Sequence, residues 1–185
     1  MDEITSISIL VLAVALCLPL FSGLFAKRPQ LLHAGKIVIF LIYVAANLYE
    51  TILFRTIRPS PILMSPFWSY RESFAMDGNG ILHSLLTGNI RITNAYLLKE
   101  IILNILLYVP LGYLLPFVWP KLEKKRVIVL IGFLCSCATE ATQYIFRLGW
   151  CELDDIIGNT LGCLIGCLIY KLILKKQLNS LKDPD

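Results

Sequence analysis

The sequence predicts an all-α integral membrane protein: five transmembrane helices, the N-terminus outside, the C-terminus in the cytoplasm, and a polar pocket in the outer half. Three observations carry that expectation. Apolar residues reach 57% while charged residues fall to 16%, whereas soluble domains are about half apolar and about a quarter charged. The apolar residues collect into five runs, each long enough for the roughly 20 helical residues that a hydrocarbon core requires. The charges lie between those runs, basic on one side and acidic on the other, as the positive-inside rule demands. The same composition excludes a soluble globule, a disordered tail and a disulfide-stapled secreted scaffold. A net charge of +4, unevenly placed, is no nucleic-acid footprint.

The first span covers Ile4 to Ala26, and Pro19 is tolerated as a kink. Asp2 and Glu3 stand where a signal peptide would need basic residues, so this run is read as a span. The others cover Ile37 to Ile57, Leu97 to Trp119, Val127 to Phe146 and Ile156 to Leu174. The whole chain, 1–185, forms one transmembrane domain. Its only long loop, 58–96, is expected outside. Pro59, Pro61 and Pro66 interrupt any helix at the start of that loop. Phe67, Trp68 and Tyr70 then suit an anchor at headgroup level, and Asp77-Gly78-Asn79-Gly80 is a turn.

The orientation follows from the basic residues. Lys27, Arg28, Lys36, Lys121, Lys124, Lys125, Arg126, Lys171, Lys175, Lys176 and Lys182 fall on one side, with only Glu123, Asp183 and Asp185 as acids. Arg55, Arg58, Arg71, Arg91, Lys99 and Arg147 fall on the other, with ten acids. The first side is therefore cytoplasmic, and the expected location is a plasma membrane, crossed several times.

Ionisable groups inside a membrane are costly, so their presence is a functional signal by default. Glu140 lies seven residues before Arg147, about 10 Å deeper at 1.5 Å per residue. Gln143 and Tyr144 complete one helical stripe with them. Asn104 stands at a similar depth on the third span. Asp154 and Asp155 open the fifth span, with Asn159 one turn below Asp155. Glu50 and Arg55 close the second. Groups at one depth on four helices can meet only by facing inward. The candidate ligand-binding residues are therefore Glu50, Arg55, Asn104, Glu140, Gln143, Arg147, Asp154, Asp155 and Asn159. Simpler roles compete: Glu140 and Arg147 as an ion pair, the asparagines as interhelical links, and Asp154 as a helix cap.

No cofactor is predicted, and no set of residues has metal-ligand spacing; a divalent cation is the one cofactor the carboxylates would accept. The cysteines lie mostly inside spans and read as packing. Gly158, Gly162 and Gly166 recur every fourth residue and form a groove for close helix approach. That approach is expected within the chain, with a homodimer through the same groove as the alternative. Pro110 and Gly112 signal a kink in the third span.

Several of these residues fall into a pattern that resembles the VanZ-like membrane proteins. Asn104-Ile-Leu-Leu-Tyr-Val-Pro110-Leu-Gly112 is similar to that family's N-x-x-x-[FY]-x-P-x-G signature. Glu140-Ala-Thr-Gln143, followed by Asp154-Asp155-Ile-Ile-Gly-Asn159-Thr-Leu-Gly162, is similar to its E-x-x-Q and D-D-x-x-x-N-x-x-G segments. Tyr49-Glu50-Thr51-Ile-Leu-Phe-Arg55 and Pro66-Phe67-Trp68-Ser69 resemble its second span and the loop that follows. The resemblance runs from about Tyr43 to Tyr170. It departs before the fifth span, where Trp150 and Glu152 replace a basic residue and an acid of D-x-D-D; Arg147 is the expected substitute for the base. The resemblance implies a cell-envelope protein, since the name-giving member is associated with low-level resistance to teicoplanin, a glycopeptide carrying an acyl chain.

Three functions are open at this point. A binding protein would hold a membrane lipid headgroup, a lipid-linked wall precursor or the lipoglycopeptide, with Arg55 and Arg147 donating to its anionic group. An intramembrane enzyme would use Glu140 and Asp155 as acid, base or cation ligands on a phosphate or glycosyl group. A small transporter would show inverted repeats or paired broken helices, and none is visible. The first reading is preferred, and leans away from catalysis.

Overall fold

The computed structural model describes residues 13, 28–57, 62–63, 65–76 and 79–182. Apart from Ala13, the first expected span lies outside them, as do Pro59, Pro61 and the Asp77-Gly78 half of the expected turn.

The other four spans are present as helices long and apolar enough to cross a membrane. Helix α1 covers Pro29–Leu48 and continues through a π-helical turn, Tyr49–Leu53. It begins eight residues before Ile37 because Pro29 occupies its first turn, where a fixed φ and a missing N–H cost nothing. After α1 come strand β1, Ile62–Leu63, and two short loop helices, α2, Trp68–Ser73, and α3, Ile81–Thr87. Helix α4 covers Ala95–Val118, a 3₁₀ turn Pro120–Leu122 leads to α5, Lys125–Phe146, and strand β2, Cys151–Glu152, leads to α6, Leu153–Lys182. The two strands pair in parallel, Ile62 with Cys151 and Leu63 with Glu152. Two residues are too short a pattern to read as strand from sequence.

Helix α4 is the central element, and every residue from Leu107 to Val118 is buried. It runs without a break through Pro110 and Pro116. Near Pro110 the Tyr43 hydroxyl donates to the Leu107 carbonyl at 3.0 Å; neighbouring helices commonly satisfy carbonyls around an intrahelical proline in this way.

Helix α6 lies against α4 backbone to backbone. A methyl group added at Gly112 would overlap the Cys163 carbonyl, one at Gly162 the Ile105 carbonyl, and one at Gly166 the Val109 carbonyl. The glycine groove read from the sequence is therefore filled by α4 of the same chain. Gly132 of α5 similarly admits Cys163, whose Sγ lies 2.6 Å from where its Cβ would stand. The remaining apolar core is built from Tyr43, Leu107, Tyr108, Leu111, Leu114, Val118 and Ile128.

Consecutive spans run in opposite directions. The ends of α1 and α5 and the starts of α4 and α6 therefore share one face, together with the loop helices and the strand pair. Lys121, Lys124, Lys125 and Arg126 gather at the opposite face.

Gly112→Ala and Gly162→Ala are each expected to destabilise the chain by about 1–3 kcal/mol or more, the usual cost of overpacking. Gly35→Ala, inside α1 with nothing within 4 Å of the new methyl, should leave stability unchanged or raise it by up to about 1 kcal/mol. Thermal melts of the three purified variants in one detergent test the contrast, and equal melting temperatures would contradict the glycine contact.

Candidate functional site

Asp155 and Asn104 set the geometry of the shared face. Gly162 fixes α6 against α4 at Ile105, which places Asp155, two turns earlier on α6, opposite Asn104 on α4. The Asn104 Nδ2 donates to Asp155 Oδ1 at 2.6 Å. One turn further into α6, the Asn159 Nδ2 donates to the Ser136 hydroxyl of α5 at 2.9 Å. Ser136 is one turn from Glu140 on the same face of α5. Two polar layers result: Glu140 with Asp155 above, Ser136 with Asn159 below.

Glu140 is buried, with Oε2 accepting from the Glu152 backbone N–H at 3.0 Å. That contact holds the strand that leads into α6 against α5. Gln143, one turn on, donates through Nε2 to the Thr51 carbonyl at 2.9 Å. Thr51 lies inside the π-helical turn that ends α1, and its hydroxyl donates back to the Asn47 carbonyl at 2.8 Å. The π turn is a local widening of the helix, of the kind that recurs at functional sites. Through it α1 presents the Thr51 carbonyl to α5.

Asp154 has a different task. Its Oδ1 accepts from the Phe67 N–H, and its Oδ2 accepts from the Ser69 N–H at 2.9 Å and the Ser69 hydroxyl at 2.6 Å. Helix α2 has no side-chain cap of its own, and its first residue follows Phe67 held at φ 61°, a conformation unfavourable for a bulky side chain. A carboxylate more than eighty residues away in sequence therefore caps α2 and fixes the loop over the site. The sequence reading allowed a cap of span five; the helix capped is α2.

Docked in this way, Trp68 and Tyr70 are half-buried against the protein, while Phe67 stays exposed. The Tyr70 hydroxyl lies 4.0 Å from where a Cβ on Gly158 would stand, beside Asn104 and Ile105. Burial first, then the charges of Asp154 and Asp155, push its phenol above the usual range. The Trp68 indole approaches Glu152 without closing a hydrogen bond, and its ring lies 6.3 Å from that of Trp150.

The cation of the site is Arg55, not Arg147. Arg55 Nη1 lies 2.8 Å from where a Cβ on Gly149 would stand, so its guanidinium crosses the turn after α5, and its charge acts on Glu50, Glu140 and Asp155. Arg147 is exposed at the end of α5 with φ 55°, whereas the charges that act most on Glu140 are those of Asp155, Arg55 and Glu152. The pairing of those two along one stripe fails because α5 ends at Phe146, and the left-handed residue that stops it turns the chain away from the stripe.

Two acids join the cluster that the sequence reading left out. Glu152 is half-buried, and burial, then Asp155 and Glu100, push its carboxyl up to about 7. Glu100 is one turn before Asn104 on α4 and acts on both Asp155 and Glu152; its spacing from Asn104 was the available signal. Among the described residues, no group of three or more His, Cys, Asp or Glu is arranged to hold a metal ion.

Removing Asp154 leaves two backbone N–H groups of α2 unpaired. Asp154→Ala is expected to cost at least about 2 kcal/mol, given about 1.5–3 for one hydrogen bond to a charged group. Trypsin cleavage at the exposed Arg71 and Arg91 should accelerate; an unchanged cleavage rate would show that the loop holds without the cap. For Glu152, the folded chain binds its proton more tightly than the unfolded chain, whose pKa is near 4.5. Its contribution is thus fully present below about pH 4.5 and is lost as pH rises through 7. The melting temperature of wild type should fall relative to Glu152→Gln between pH 5 and 8, and parallel curves would contradict this assignment.

Comparison with known proteins gives one match. The family model described as VanZ/LLP1 matches residues 10–174, nearly the whole chain and all four described spans. No curated protein and no solved structure matches it. The family match agrees with the motifs in α4, α5 and α6, and the chain belongs to the VanZ/LLP1 family of membrane proteins.

Proposed function

We propose that this VanZ-like protein works in the bacterial cell envelope as a binding protein that contributes to resistance against teicoplanin-type lipoglycopeptides. In this reading the shared polar face opens outward and holds a lipid headgroup, a lipid-linked wall precursor or the antibiotic itself. The observation that carries it is a set of buried acceptors without partners: Gln143 Oε1, Asn159 Oδ1 and Glu50 Oε1 make no hydrogen bond in the structure. A buried polar atom left unpaired costs about 1–3 kcal/mol, and such atoms one turn from Glu140, one turn from Asp155 and at the end of α1 fit a site that a ligand completes. The basic residues at the opposite face support the outward orientation.

One observation favours catalysis as the second reading. Glu140 and Asp155 each engage a single oxygen, with Glu152 N–H and Asn104 respectively. Two carboxyls held in one layer suit proton transfer, or one divalent cation, at a phosphate or glycosyl group.

Native mass spectrometry of wild type, Glu140→Gln and Arg55→Ala after incubation with bacterial lipid extract separates the two. The binding reading expects one retained species of unchanged mass in wild type, weakened in Arg55→Ala. A species converted to a new mass by wild type and not by Glu140→Gln would replace binding by catalysis. Expression of the same variants in a susceptible strain should raise the teicoplanin inhibitory concentration for wild type only, and an unchanged concentration for wild type would remove the resistance role.

A further inference from the structure

We infer that the site takes its ligand by a primary ammonium group, the amine of a phosphoethanolamine-type lipid headgroup, with Arg55 at the rim facing the phosphate. This rests on the binding reading above and names the ligand class. It departs from the sequence expectation of an anion held by two arginines, because Arg147 is not in the cluster and the interior is acidic.

The argument is a census of donors and acceptors. Gln143 and Asn159 are 1% and 4% exposed. Both place their amide nitrogens on protein acceptors, Thr51 O and Ser136 Oγ, and both keep an unpaired oxygen. Gln143 is one turn from Glu140 and Asn159 one turn from Asp155, on the same helix faces. Glu50 adds a third unpaired oxygen. The carboxyls of Glu140, Asp155, Glu152 and Glu100 act on one another in this layer, and Arg55 acts on Glu140 and Asp155. Among these residues, carboxyls and unpaired amide oxygens therefore outnumber cations.

The unpaired donors nearby do not reverse that balance. Trp68 Nε1 already faces Glu152, and Ser73 Oγ sits at the far end of α2, where Thr93 and Asn94 return to the Ser73 carbonyl. An ammonium supplies three N–H donors and no acceptor. A quaternary ammonium supplies the charge without the donors and would leave the amide oxygens unpaired. A headgroup with no amine would place phosphate or hydroxyls against the carboxylates. Arg55, exposed across Gly149, is placed for the phosphate that adjoins an ethanolamine amine, since guanidinium pairs well with phosphate oxygens.

The test uses the full chain in detergent, exchanged against phosphatidylethanolamine, phosphatidylcholine or phosphatidylglycerol of identical acyl chains, with bound lipid read by native mass spectrometry. Phosphatidylethanolamine should be retained at least about tenfold over each of the others, and soluble phosphoethanolamine should displace it. The double variant Glu140→Gln/Gln143→Leu should lose the preference, as should Glu100→Gln in part, each checked for an unchanged helical spectrum. Equal retention of phosphatidylethanolamine and phosphatidylcholine, or a preference for phosphatidylglycerol, would overturn the ammonium assignment while leaving lipid binding intact. Retention of none of the three, with no species from whole lipid extract either, would overturn the binding reading itself.

Discussion

The close contact between α4 and α6 is the constraint on which the site depends. Glycines at 112, 162 and 166 let two backbones meet where side chains would keep them apart. In a bilayer, lipid tails are as apolar as leucine, so helices gain little by hiding apolar surface from one another, and close packing must supply the association. This contact also fixes registration. With Gly162 against Ile105, Asp155 can only meet Asn104, and Asn159 can only face α5. A slip of one turn would set Asp155 against Glu100 or Tyr108 in place of Asn104.

The second organising feature is the loop. Asp154 and Asp155 are neighbours, yet a helix sends adjacent side chains in different directions, and the two acids act on different parts of the molecule. Asp155 turns toward α4 and joins the carboxylate layer. Asp154 turns outward and caps α2. The pair thus couples the membrane-embedded cluster to the segment above it, and Tyr70 reaches Gly158 because Asp154 holds α2 down. The strand pair adds a second tether, since the same stretch that pairs with Ile62 and Leu63 gives its N–H to Glu140.

Acids outnumber cations in this layer, and they are close. A carboxylate in low dielectric beside another carboxylate favours its protonated form, and Glu152 shows the effect at the edge of the bilayer. The amides of Asn104, Gln143 and Asn159 separate and orient the acids without adding charge. Arg55 supplies the local countercharge from the rim, where water still reaches it, which avoids the cost of burying a guanidinium.

Hydropathy, charge bias and the spacing of polar residues were enough to locate four helices, though α1 starts eight residues early and α6 ends eight residues late, to gather the polar groups at one end of them, and to name the family. These depend on local pattern: about 20 apolar residues make a span, and i, i+3, i+4 spacing makes a face. The partners of each polar group were not legible. Arg147 lost its expected place because it is itself the left-handed residue that ends α5. Arg55 gained that place because the chain after the π turn crosses Gly149. Asp154 found its three donors more than eighty residues away, and Glu100 and Tyr70 entered the site only when α4 and α2 were set against α6. Periodicity states which side of a helix a residue occupies; which neighbour stands there is decided by backbone contacts between helices, and those exist only in the folded chain.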